Sequence, residues 1–175
     1  MRILSGIYKG VKIRTSSRQK YRPTQTKVRK SIFDSLGSLE QCSVLDLFSG
    51  TGILGFESAS RGASSVIFVE NNPHICKLLQ TNLSLFPSGL FEVKKNDAIR
   101  FLKNCQSFDL IFADPPYNYF TRNTGMELDL FIDLVMDKLN LQGRFIFECS
   151  RKVNLSYHAK TKVFGETKVY VGRKE

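Results

Sequence analysis

The sequence predicts an α/β fold, a doubly wound, mostly parallel sheet with helices on both faces and an antiparallel hairpin closing one edge. Three observations predict it. Between Ser43 and Cys149, short apolar runs alternate with stretches whose apolar residues recur at helical spacing, a pattern that demands right-handed crossovers between parallel strands. The first apolar run feeds a glycine-rich turn, Gly50-Thr51-Gly52-Ile53-Leu54-Gly55. Near the end, Lys162 to Phe164 and Lys168 to Gly172 flank Gly165 and read as a final hairpin, which brings the strand count to seven.

Taken in order, Arg2 to Ser5 and Tyr8 to Thr15 surround Gly6 and Gly10, and the alternation Val11-Lys12-Ile13-Arg14 predicts a short basic hairpin. A polar stretch, Ser16 to Pro23, leads to Thr24, a cap for a helix ending near Leu36 with Val28, Ile32, Phe33 and Leu36 on one face. Strands follow at about 43 to 48, 65 to 70, 90 to 95, 108 to 113 and 143 to 149, with helices at about 52 to 62, 73 to 85, 97 to 104 and 125 to 139. The expected division is a small basic arm over 1–36 and one α/β domain over 43–175. A chain of 175 residues that is 42% hydrophobic can bury one substantial core.

The formal net charge of +10 is concentrated at one end. Residues 1 to 33 hold ten basic residues and no acid, and the remainder is formally neutral. A localised basic block suits the phosphates of a nucleic acid, because neutralising them releases counterions. Its bland alternative is a solubilising face. The four cysteines, Cys42, Cys76, Cys105 and Cys149, form no CxxC pair, which predicts a reduced, cytoplasmic protein without metal. Neither a membrane-spanning apolar run nor a signal peptide is present in the sequence.

Gly50, Gly52 and Gly55 fit G-x-G-x-x-G after the strand Val44 to Phe48, a Rossmann-like arrangement in which missing side chains allow a tight turn and close approach of a ligand. Glu70 ends the next strand twenty residues after Gly50, where a carboxylate can accept both hydroxyls of a ribose. Together they predict a cofactor bearing adenosine. Asp46, just before the loop, would repel a pyrophosphate from the helix N-terminus but tolerates the cationic end of S-adenosylmethionine; its competing role is to accept amide hydrogen bonds from the loop. Asn96-Asp97 closes the third strand, where Asp97 could take the adenine amino group or simply cap the helix that begins at Ala98.

Asp114-Pro115-Pro116-Tyr117 follows the buried run Ile111-Phe112-Ala113 at the carboxyl edge, where open α/β sheets bind ligands. The prolines remove two backbone donors and leave the Asp114 carboxylate and the Pro115 carbonyl as acceptors. An exocyclic amine is a poor nucleophile because its lone pair is delocalised into the base. Two acceptors on its two N–H bonds would localise that pair, and Tyr117 would stack on the exposed base.

Arg22-Pro-Thr24, Lys27-Val-Arg29, Asp46-Leu-Phe-Ser-Gly-Thr-Gly52, Glu70-Asn71 and Asp114-Pro-Pro-Tyr117 together resemble the RsmD-like family of guanine-N2 methyltransferases. The resemblance runs over nearly the whole chain and implies a class I methyltransferase fold that acts, as a monomer, on small-subunit (16S) ribosomal RNA within an assembling subunit. It implies cofactor contacts from Asp46, Phe48, Ser49, Gly50, Gly52, Glu70, Asn71, Asp97 and Ala98. Asp114, Pro115, Pro116 and Tyr117 would face the base, and Arg22, Thr24, Lys27 and Arg29 would dock RNA. One departure stands out: Lys30 occupies a position where the family commonly carries glutamate.

His74 and His158 lack partners in sequence that would suggest a relay, the phenylalanines read as core, and Glu148 at a late strand end would border the site or serve only the sheet edge. Three rival functions stay open on the residues alone: DNA adenine-N6 methylation, a nicotinamide oxidoreductase, and a non-catalytic RNA-binding protein.

Overall fold

In a computed structural model, the described residues are 1–15, 26–116, 119–120, 128–157 and 159–175. The elements are α1 (Thr26–Leu36), β1 (Ser43–Leu47), α2 (Ile53–Ser60), β2 (Ser65–Glu70), α3 (Pro73–Leu83), β3 (Phe91–Lys95), α4 (Ala98–Asn104), β4 (Phe108–Ala113), α5 (Leu128–Asp137), β5 (Leu139–Ser150), β6 (Lys160–Phe164) and β7 (Thr167–Arg173). They form the predicted seven-stranded sheet, in the order β3-β2-β1-β4-β5-β7-β6. Strands β1 to β5 pair in parallel, whereas β7 pairs antiparallel with both β5 and β6.

Alternation along the strands divides the core in two. On one face Val44, Val66, Phe68, Leu110, Phe112 and Ile146 pack under α1, α2 and α3; on the other, Leu45, Ile111, Phe145 and Phe147 pack under α4 and α5. Helix α5 shows why such a helix docks, since Phe131, Ile132 and Val135 recur at helical spacing and are buried while Leu130 remains exposed. Helix α3 opens with Asn72, whose side chain accepts the His74 N–H, and with Pro73 in the first turn, where its missing donor costs nothing.

Several boundaries differ from the sequence reading, three of them with structural consequences. Helix α1 is described from Thr26, and Thr24 lies outside the described residues. Strand β5 starts four residues earlier than expected, because Leu139 pairs with Phe108 before an irregularity that contains Gln142 at φ 65°. The N-terminal hairpin is reduced to one antiparallel bridge, Arg2 with Lys12, flanked by hydrogen bonds from Ile3 N–H to the Val11 carbonyl and from Ile13 N–H to the Met1 carbonyl.

That N-terminal segment is built into the main core, since Ile3 and Ile13 join Val28, Ile32, Phe33 and the sheet in one cluster. Buried polar side chains of α2 and α3 hold it. The Glu57 carboxylate accepts the Leu4 and Ser5 N–H groups at 2.7 and 3.1 Å, and Ser60 accepts from Ile7 and Tyr8. Asn82 both accepts from and donates to the Arg14 backbone at 3.0 Å. Gly6 is required where the segment crosses α2: its φ is +83°, and a Cβ there would stand 1.7 Å from the Ser60 carbonyl oxygen.

Candidate active site

Parallel pairing sets the carboxyl ends of β1, β2, β3 and β4 along one edge. The chain crosses to opposite faces on either side of the β1/β4 neighbours, which creates the crevice where open α/β sheets take ligands. The predicted residues after those four strands therefore meet there.

The loop after β1 is held from two sides. Ser49 donates from its backbone N–H and its hydroxyl to the Val69 carbonyl, each at 3.2 Å, and Gly50 N–H donates to Glu70 Oε2 at 3.1 Å. Glu70 Oε1 accepts the Asn72 N–H at 3.0 Å, so this one carboxylate joins the glycine turn to the start of α3. Gly50 and Gly52 adopt φ 52° and 72°, and a Cβ on Gly52 would come within 2.6 Å of Leu79. Phe48 also takes a left-handed φ, 56°, a strained state for a large side chain. That turn sends its ring away from the strand alternation and against Tyr119 and Phe131.

Asp46 lies beneath this loop, 3% exposed, with Oδ2 accepting the Gly55 N–H at 3.2 Å. Burial pushes its carboxyl up to about 8, against the pull of the Gly55 hydrogen bond and with help from the Glu70 charge. The structure thus displays the amide-accepting role for Asp46. Burial disfavours the charged form of this acid.

Asp97 caps α4, with Oδ1 accepting the Arg100 N–H at 3.0 Å, while Oδ2 faces the Tyr119 hydroxyl at 3.4 Å. Asn71, just after β2, is exposed, and Ala98, at the start of α4, is buried. Asp114 is partly buried, Pro115 buried and Pro116 exposed. Ala113 pairs with Phe147, so Asp114, just past the end of β4, and Glu148, within β5, each follow a paired residue; Glu148 is 7% exposed. Tyr117, Arg22 and His158 lie outside the described residues.

The expected RNA contacts separate. Lys27 is exposed on α1, whereas Arg29 is 2% exposed and cannot meet a phosphate on the surface. Its position, three and four residues before Ile32 and Phe33, places it on the apolar side of the helix. One nitrogen, Nη2, donates to the Arg2 carbonyl at 3.1 Å, and among the described residues Nε and Nη1 have no hydrogen-bond partner. Burial lowers its pKa, opposed by the charge of Glu57. The sequence reading also missed Glu57, Ser60, Asn82 and Tyr119. Their polar chemistry on or near apolar elements was the only signal.

This donor and acceptor set fits an adenosine group: carboxylates at the ends of β2 and β3, a glycine turn after the neighbouring β1, and aromatic rings alongside. Among the described residues no group of His, Cys, Asp and Glu could hold a metal ion, and no helix is long and apolar enough to cross a membrane.

The family described as Conserved hypothetical protein 95 matches residues 1–171. Ribosomal RNA small subunit methyltransferase D of Haemophilus influenzae is 34% identical over 125 residues, covering 68% of this chain and 65% of that protein. The chain therefore aligns with slightly less than two thirds of that relative. A candidate ribosomal RNA methyltransferase of Bacillus subtilis is 38% identical over 123 residues, 67% of each chain. Among solved structures, a candidate methyltransferase of Escherichia coli superposes with a TM-score of 0.85 at 26% identity, covering 100% of this chain and 98% of that one.

Proposed function

The chain belongs to the Conserved hypothetical protein 95 family, the RsmD-like methyltransferases, and on that premise we propose that it transfers a methyl group from S-adenosylmethionine to the N2 amine of a guanine in small-subunit (16S) ribosomal RNA. The observation that carries the reading is the meeting, at one sheet edge, of the Gly50–Glu70 clamp with Asp114 and Pro115. Relatives named for ribosomal RNA support the substrate class, and the choice of guanine N2 rests on the resemblance of the motifs.

Glu70 and Asp97 would hold the ribose and the adenine, the loop Phe48 to Gly52 would pass along the cofactor, and Asp46 would face its cationic end. When bound, S-adenosylmethionine supplies an electrophilic methyl group on a sulfonium. Asp114 and the Pro115 carbonyl accept the two N–H bonds of the target amine, which turns its lone pair out of conjugation with the ring, and Asp114 receives the proton that the amine sheds. The rigid proline pair keeps these acceptors fixed, so little reorganisation is needed in the transition state. Residues 1–36, with Lys27, would dock RNA phosphates beside the domain over 43–175. The substrate is an assembling small subunit and the enzyme a cytoplasmic monomer in this reading.

Tritiated methyl transfer to small subunits lacking the modification, naked small-subunit RNA and duplex DNA, followed by nucleoside analysis, tests it. N2-methylguanosine from either RNA substrate is expected. Label only in DNA, as methyladenine, would keep the chemistry and overturn the substrate.

A further inference from the structure

We propose that Tyr119 is a positioning residue that sets base specificity in the cofactor site by orienting Asp97. The inference rests on the cofactor reading above. Asp97 has one carboxylate oxygen committed to the helix: Oδ1 accepts the Arg100 N–H at 3.0 Å, and the Asp97 N–H is itself held by Asn96 Oδ1 at 2.9 Å. Oδ2 is the oxygen turned to Tyr119, whose hydroxyl approaches it at 3.4 Å. The Tyr119 ring is fixed edge-on against Phe48, with centroids 4.8 Å apart and planes at 74°, and against Phe120 at 5.0 Å and 83°. Phe48 in turn owes its direction to its left-handed backbone. Tyr119 thus touches both Phe48, after β1, and Asp97, after β3, and joins the strained turn to the acidic cap.

The chemistry follows from the inventory of donors and acceptors. A carboxylate oxygen that accepts one hydroxyl keeps a lone pair for a second donor. The 6-amino group of adenine is such a donor, whereas the 6-oxo group of hypoxanthine is an acceptor and would oppose the Asp97 charge. Burial first, and the charge of Asp97 next, push the Tyr119 phenol up to about 12, so it stays protonated and donating through the neutral range. With Oδ1 held by the Arg100 N–H at 3.0 Å and Oδ2 facing the Tyr119 hydroxyl at 3.4 Å, the carboxylate plane is biased before a base arrives, and less ordering is left to accompany binding.

Isothermal titration with S-adenosylhomocysteine and its hypoxanthine counterpart tests the inference without reference to activity. The unmodified protein is expected to prefer the adenine ligand. Tyr119→Phe keeps the ring against Phe48 and removes only the hydroxyl, and it should narrow that preference by about 3- to 10-fold, the range of one hydrogen bond. Asp97→Asn keeps a capping oxygen but offers an amide N–H₂ to the base, and should erase or invert the preference. Adding Tyr119→Phe to Asp97→Asn should then change the ratio little, because the hydroxyl acts through the carboxylate. If Tyr119→Phe weakens both ligands equally, the ring only packs and the inference is overturned; a widened ratio overturns it also, since the hydroxyl would then compete with the base. No binding of S-adenosylhomocysteine to the unmodified protein would sink the cofactor reading itself, a result distinct from binding without discrimination.

Discussion

Replacing Glu57 by alanine removes the acceptor that holds the N-terminal segment on the helix behind the glycine loop. Glu57 is fully buried, and its oxygens accept the Leu4 and Ser5 N–H groups and the Arg61 guanidinium at 2.9 Å. Each buried amide left without a partner costs about 1–3 kcal/mol. The negative charge that partly offsets the burial of the Arg29 guanidinium is lost at the same time. Water entering as the segment lifts recovers part of this, so a loss of about 3–4 kcal/mol is expected, within the ~3–5 kcal/mol of a broken buried pair. For a domain of this size that lowers Tm by roughly 10 °C. Urea unfolding gives the free energy, and hydrogen exchange gives its location: Leu4, Ser5, Ile7 and Tyr8 amides should lose protection while the β1 and β4 amides change only with global stability. Glu57→Gln, with one carbonyl oxygen in place of two acceptors, should fall between. A loss under about 1 kcal/mol, well below the mutational costs of breaking such a network, with Leu4 and Ser5 protection unchanged, would refute the clamp.

Asp114→Ala should lower methyl transfer by about 10²-fold or more, as removing a preorganised stabilising group does, while titration shows nearly unchanged affinity for S-adenosylhomocysteine; loss of cofactor binding would reassign the carboxylate. Asp46 has a folded pKa raised from 3.8 to about 8, so its protonated form is the one the fold favours. The stability it contributes is complete below the unfolded value and is lost as pH rises through the folded one. Asp46→Asn, which mimics the protonated acid, should therefore flatten the fall in unfolding free energy between those two pH values, and an unchanged slope would contradict the buried neutral carboxyl. Lys27→Ala should weaken RNA binding and reduce its salt slope by about 0.7–0.9. Arg29→Met should leave that slope unaltered, and a reduced slope would return Arg29 to the interface.

Much of the fold was legible because local periodicity reports burial. Val28, Ile32, Phe33 and Leu36 in α1, and the apolar runs of β1, β2 and β4, announced their buried faces, and Gly50 and Gly52 announced a turn that only positive φ can make. The meeting of the residues after β1 to β4 was legible for a related reason: in a parallel sheet every strand end of one polarity reaches the same edge, so order along the chain fixes proximity. Arg29 shows where local reading failed. Its spacing marked the apolar face, but its charge suggested solvent.

What the sequence by itself determined is the set of elements, the edge where the candidate site residues gather and the identity of the acceptors placed there. Tertiary structure alone decided how those acceptors are occupied: Glu57 and Asn82 taking N-terminal amides 52 to 68 residues away in the chain, Glu70 tied to Gly50, and Asp97 shared with Tyr119. The physical reason is that a polar side chain carries no periodic signature of its partner. Once buried, it must be satisfied by whatever donor the fold brings within about 3 Å, and that choice belongs to the assembled core.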